Sequence, residues 1–206
     1  MKQQTKVVVA IDGPARSGTS TVSSALAKRL GVERLDTGAM YRAVTWEALY
    51  SDVDLSDGDA LAAIAREADI DVRPEMVVIN GHDVTTAIRS AEVSEAVSKV
   101  AANEAVRVVL VERQRRWIDD RQGGVVEGRD IGSVVAPDAD AKIYLTASRE
   151  ERQRRRKEES ADCLASRDHI DSTRDASPLT VPEGAKVIDT TDQSVDDVVE
   201  EILRCL

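Results

Sequence analysis

Cysteine is scarce in this sequence: Cys163 and Cys205 are the two it has in 206 residues, and their separation fits neither a metal-ligand nor a redox spacing. They read as incidental thiols. No apolar run approaches the roughly 20 residues that cross a bilayer, and Met1-Lys2-Gln3-Gln4-Thr5-Lys6 leads into an apolar strand without the features of a signal peptide. The expectation is a soluble, cytoplasmic protein with no membrane partner. Positive charge is also in deficit. With a formal net charge of −10, most of the surface repels a phosphate backbone, which excludes a general nucleic-acid binder. A small phosphorylated ligand in a local basic pocket is not excluded. Phenylalanine is absent and arginine far outnumbers lysine, a bias of composition rather than of mechanism. No internal repeat or low-complexity segment occurs.

What is present is ordinary globular composition, 42% hydrophobic and 32% charged, in a chain long enough for one well-buried domain. Lys6 to Asp12 is a continuous apolar run of the kind buried on both faces of a parallel sheet. Val22, Ala25, Leu26 and Leu30 then recur at helical spacing, with Gly31 as C-terminal cap. Between the two lies Gly13-Pro14-Ala15-Arg16-Ser17-Gly18-Thr19-Ser20-Thr21, which holds the spacing of the phosphate loop G-x-x-x-x-G-K-[ST]. Backbone N–H groups and a helix N-terminus wrap a polyphosphate in such a loop, and a hydroxyl, here Ser20, holds Mg²⁺. The lysine is missing. Thr19 stands in its place.

Further along, a short strand at Glu33 to Leu35 ends in Asp36-Thr37-Gly38-Ala39-Met40-Tyr41-Arg42, and helices are expected over about 41–50 and 57–68. Ile70 to Arg73 and Val77 to Ile79 flank a proline turn, and Asn80-Gly81 marks a tight turn, so a small antiparallel hairpin is expected there. Helices follow over about 92–103 and 104–120. Strands at Val125 to Glu127, Ala141 to Leu145 and Ala185 to Ile188 complete a β-α pattern, and Ser194 opens a last helix running to Leu206. The fold class is α/β, a parallel sheet flanked by helices. Charged residues cluster where strands end, as in Gly128-Arg129-Asp130-Ile131-Gly132, and ligands bind at the carboxyl ends of parallel strands.

Each signal has a plain reading. Glycine-rich turns after strands are common, Gly128-Arg129-Asp130 fits a loop salt bridge, and the arginine-dense run Arg149 to Lys157, interleaved with glutamates, fits a solvated helix. Their ordered co-occurrence is more specific. Together with Ile79-Asn80-Gly81-His82-Asp83-Val84, Ile88-Arg89-Ser90 and Glu92-Val93-Ser94, it resembles the bacterial cytidylate kinases over nearly the whole chain. The resemblance implies a P-loop-type single domain with core segments 1–65 and 104–206, a CMP-binding insertion at about 66–103 and a short lid at about 150–175. The implied activity is transfer of the γ-phosphoryl of ATP, with Mg²⁺, to CMP or dCMP.

It also implies roles. Thr37, Arg42, Arg129 and Asp130 match positions holding the monophosphate and sugar, Ser98, Arg107 and Asp171 those reading the cytosine edge, and Arg167 and Arg174 lid arginines. Arg152 and Arg155 fall where the ATP-side lid begins, beside the loop residues 13–21. Phosphoryl transfer is chiefly alignment plus cations around the migrating group, which suits arginine forks. The catalytic set is expected to be Arg16, Asp36, Arg129, Arg155 and Arg174. Arg16 would bring its guanidinium to the phosphates in the lysine's stead, Ser20 would ligate Mg²⁺, and Asp12 or Asp36 would hold metal-bound water.

Departures from the family pattern are Thr19, Arg16 where glycine is usual, Ile170 where a lid arginine is common, and a shortened stretch between Lys157 and Arg167. Archaeal members often carry threonine at the lysine position. Two alternatives stay open: a catalytically silent relative that keeps the CMP pocket, and a P-loop kinase with another small acceptor. A monomer is expected.

Overall fold

The structure is a computed structural model describing residues 7–155, 161–174 and 176–206; side chains at 161–165 and 167 lie outside that description. Five parallel strands form the main sheet: β1 (Val8–Asp12), β2 (Arg34–Asp36), β6 (Gly124–Gly128), β7 (Ala141–Thr146) and β8 (Lys186–Asp189), in the order β2-β6-β1-β7-β8. Alternation along β1 explains why its run is apolar throughout. Val9 and Ile11 face one side, against Val22 and Leu26 of α1 (Thr19–Leu30) and Val198 and Ile202 of α8 (Val195–Leu203). Ala10 faces the other, where Leu35 and Val126 meet α2 (Thr37–Tyr50), α3 (Gly58–Glu67) and α5 (Glu104–Arg121). A strand covered by helices on both faces has no polar side to show.

A second sheet, antiparallel, comprises β3 (Ile70–Arg73), β4 (Met76–Ile79) and β5 (His82–Asp83). Its register pairs Ile79 with His82 around Asn80-Gly81, both at positive φ (50° and 80°), the two-residue turn that matches strand twist. The expected hairpin is thus three strands. Val77, Ile79, Val84 and Ile88 pack it onto Ala39 and Ala43 of α2.

Several bounds differ from the sequence reading, each for a local reason. The second helix starts at Thr37, not near Tyr41, because the Asp36 carboxylate accepts the Ala39 N–H at 2.9 Å and caps it. Asn103 likewise separates α4 (Ala91–Ala102) from α5 by accepting the Val106 N–H at 3.0 Å. Ser194 caps α8 as expected, but that helix ends at Leu203. After β7 come α6 (Arg149–Arg154) and α7 (Ala161–Thr173); the shortened stretch of the lid that starts at Lys157 begins outside the described residues.

Register places the strand ends in one row. Asp12 lies opposite Gly128, and Asp36 opposite Glu127. The segments that follow β1, β2 and β6 therefore leave the main sheet at the same, carboxyl-terminal end.

Candidate functional site

The loop after β1 closes tightly on itself. A Cβ on Gly13 would meet the Leu145 carbonyl and stand 2.5 Å from Ser17 Oγ, so only glycine lets the chain pass there. Gly18, at φ 100°, turns the chain into α1, and Arg16 also takes a left-handed φ of 65°. Ala15, Arg16, Gly18, Thr19, Ser20 and Thr21 line a cavity of about 330 Å³, while Gly13, Pro14 and Ser17 support the loop from behind. The first N–H groups of α1 have no intrahelical acceptor, and they give that end of the cavity its affinity for anions. Thr19, in the lysine's place, lines the cavity and is only 8% exposed.

The other end of the cavity is built from arginines. Arg42, buried, donates to the Ile88 carbonyl at 2.8 Å and to Ser94 Oγ at 2.9 Å. Arg107 donates to the Ala101 carbonyl at 3.1 Å, pairs with Asp130 and lies 5.5 Å from the centroid of the Tyr41 ring. Arg129 Nε donates to Asp171 at 3.1 Å, and Arg174 stands 3.7 Å from Asp130 and 3.8 Å from Asp171. Thr37 Oγ donates to the Glu127 carbonyl at 2.7 Å, and Ser98 is buried in the wall. Four guanidinium groups thus face two carboxylates, a local positive excess in a chain of net charge −10. Burial holds the Arg174 pKa below the usual arginine value, with the neighbouring Arg107 acting the same way. An arriving dianion relieves both.

Carboxylates sit between the two ends. Burial pushes the Glu127 carboxyl up to about 7; Asp36 adds to the rise, and Arg34, bonded at 2.6 Å, and the Ser20 hydroxyl oppose it. Asp36 itself pairs with Arg89 at 3.0 Å. Asp12 has a different task. Its two oxygens accept the Ile131 and Gly132 N–H groups at 2.7 and 2.8 Å, fastening the Gly128–Gly132 loop to the end of β1. Burial raises its pKa to about 6, against the lowering effect of those two bonds.

A stability test follows from Asp12. Between the ordinary value of 3.8 and about 6 the folded chain holds a proton that the unfolded chain has released, so the Asp12 contribution to stability falls as pH rises through that window. Relative to Asp12→Asn, wild type is expected to lose on the order of 3 kcal/mol from pH 4 to pH 7. Denaturant unfolding at several pH values, with a constant difference between the two proteins as the refuting result, checks this.

Of the arginines expected over the donor, Arg155 lines the cavity and is tied to the Thr190 carbonyl at 2.7 Å and the Arg16 carbonyl at 3.2 Å. Arg152 does not line it; its guanidinium goes to the Ala15 carbonyl and to Asp168. The Arg167 side chain lies outside the described residues. Sequence reasoning passed over Glu127, Tyr41 and Arg89, all in the wall. A carboxylate ending an otherwise apolar strand, next to a charged loop, was the available signal for Glu127.

Among the described residues no three His, Cys, Asp or Glu side chains gather as a metal cage. Ser20, exposed at the start of α1, with the Glu127 carboxyl near enough to be lowered by its hydroxyl and Asp36 opposite Glu127 in the sheet, suits a hard cation that takes most of its ligands from phosphate and water.

Residues 9–206 match the family model described as cytidylate kinase. The chain is 45% identical to a cytidylate kinase of Caldanaerobacter subterraneus subsp. tengcongensis over 97% of its own length and 94% of the relative's. It is 46% identical to one from Rhodococcus jostii, over 96% and 93%. Among solved structures, a gluconokinase from Sinorhizobium meliloti 1021 superposes with a TM-score of 0.52 at 14% identity, covering 98% of this chain and 93% of that one, which shows a shared fold.

Proposed function

Since the chain belongs to the cytidylate kinase family, we propose that it moves the γ-phosphoryl group of ATP to CMP or dCMP across the cavity between the phosphate loop and the arginine cluster. The observation that carries this reading is the cavity itself, with an anion-binding loop at one end and Arg42, Arg107, Arg129 and Arg174 at the other. The loop N–H groups and the start of α1 take the donor's phosphates. Arg42, Arg129 and Arg174 align the acceptor phosphate, because a guanidinium fork fixes orientation as well as charge. Arg107 and Ser98, deep in the wall, read the base, with Asp130 and Asp171 accepting from the exocyclic amine or the sugar. Uracil has no such amine to donate.

Ser20 would hold Mg²⁺, with Glu127 and Asp36 fixing its water ligands; when bound, the ion neutralises charge on the β- and γ-phosphates. Arg16 and Arg155 add the cations that the loop's threonine does not supply.

A coupled assay with ATP, Mg²⁺ and CMP, dCMP, UMP or AMP tests the proposal. CDP and dCDP formation well above that of UDP or ADP from the monophosphates is the expected result. CMP binding without product would instead identify a silent relative, the reading that the Thr19 substitution favours.

A further inference from the structure

Arg152 on α6 and Asp168 on α7 stand outside the cavity wall, yet both converge on one residue of the phosphate loop. Asp168 Oδ1 accepts the Ala15 N–H at 3.2 Å. Arg152 Nη1 donates to the Ala15 carbonyl at 3.2 Å, and the same nitrogen pairs with Asp168 Oδ2. The N–H and the C=O of a single peptide residue are thus held by the two members of one ion pair, whose side chains are 14% and 21% exposed. Ala15 is 4% exposed, so neither polar group can turn to bulk water. The loop's own backbone bond, Ser17 N–H to the Pro14 carbonyl at 3.2 Å, leaves both to be met from elsewhere. The next residue, Arg16, is held at φ 65°, a conformation that a non-glycine residue keeps only when its surroundings impose it.

We infer that the Arg152–Asp168 pair is a clasp that positions the phosphate loop for the donor nucleotide, with Asp168 a positioning residue for a reaction it does not touch. The inference rests on the kinase reading. It goes beyond it by assigning a role to Asp168 and by moving Arg152 from the nucleotide to the loop. The physical need is plain. The loop's own backbone bond spans only Pro14 to Ser17, and two helices following β7 supply the tie from outside. Charge-assisted bonds suit the task because they are stronger and more directional than neutral ones.

The test compares Asp168→Ala, Asp168→Asn, Arg152→Ala and the double variant Arg152→Ala/Asp168→Ala. ATP affinity is read by calorimetry, kcat and KM for each nucleotide by steady-state kinetics, and folding by thermal melts. Asp168→Ala is expected to raise both Kd and KM for ATP about tenfold, as loss of a charge-assisted bond implies, and to change KM for CMP less than twofold. Asp168→Asn, which keeps an acceptor for the Ala15 N–H, recovers part of the loss. The double variant is no weaker than the weaker single, since each single substitution opens the same clasp.

Unchanged ATP affinity in Asp168→Ala overturns the inference, as does tighter binding, which would make the carboxylate a stand-in for phosphate. Additive losses in the double variant overturn it too, because Arg152 would then contact nucleotide directly. If Asp168→Ala melts below the assay temperature, the Asn variant decides by the same criteria. A wild-type protein that binds ATP but makes no CDP defeats the kinase reading alone, and the comparison of Kd values still decides the clasp.

Discussion

Arg16→Ala is expected to lower kcat by about 10²–10³, the usual cost of removing one preorganised donor from a site where charge develops, with KM for CMP little changed. The loop carries Thr19 where an ammonium would stand between the phosphates, and Arg16 is the cation that belongs to the loop itself. Its backbone is left-handed at φ 65°, and its side chain is part of the cavity wall. The guanidinium Nη1 lies 3.5 Å from the Arg152 carbonyl, a long bond to a neutral acceptor that a phosphate oxygen would displace. Two companion variants separate charge from packing. Arg16→Lys should retain part of the rate, because a point charge remains but the fork is lost. Adding Thr19→Lys to Arg16→Ala should recover it, since residue 19 faces the same space. Steady-state kinetics of the three proteins suffice, and wild-type kcat in Arg16→Ala would remove Arg16 from the catalytic set.

The fold was legible where one force dominated. The apolar run before Asp12 could be satisfied only by burial on both faces, and the structure covers Val9 and Ile11 on one side and Ala10 on the other. Asn80-Gly81 admitted few backbones other than the tight turn that joins β4 to β5. Legibility failed where a side chain competed with a larger pattern. Asp36 looks like the end of a strand in a ligand-binding loop, and it is that, but its carboxylate also caps α2, so the helix begins four residues earlier than the apolar spacing suggests.

At the site, the arginines and loop glycines announced themselves by type and spacing, and the cavity gathers most of them. What spacing could not reveal was which way each guanidinium turns. Arg152 on α6 and Arg155, which caps its C-terminus, are three residues apart, yet the first grips the Ala15 carbonyl and the second lines the cavity while bonding to Thr190. Asp168, 153 residues from Ala15 in the chain, reaches it only through the tertiary fold. Glu127 was hidden for the opposite reason. A glutamate bonded to Arg34, itself from a different strand, needs the register of β2 against β6 before it becomes visible as a cavity residue near Ser20.

Arg107→Ala is expected to do two kinds of damage that can be separated. The first is to the fold. Arg107 and Asp130 are a buried pair with side chains 4% and 7% exposed, and removing the cation leaves Asp130, among the described residues, with Arg174 at 3.7 Å as counter-charge. Breaking a buried pair on one side costs about 3–5 kcal/mol, a large share of the stability of a domain this size. The second is to the acceptor. Arg107 Nη1 is spent on the Ala101 carbonyl and Nη2 on Asp130, and the residue lines the cavity together with Ser98, where the base is proposed to lie. Losing it should raise KM for CMP at least a hundredfold and leave KM for ATP near its wild-type value. The double variant Arg107→Ala/Asp130→Asn distinguishes the two effects. Neutralising Asp130 removes the stranded charge, so the melting temperature should return most of the way, whereas the KM for CMP should stay well above that of Asp130→Asn alone because the Arg107 donor is still gone. A KM for CMP no higher than that of Asp130→Asn, together with recovered stability, would make Arg107 a structural counter-ion only, and the task of reading cytosine would pass to Ser98 and Asp171.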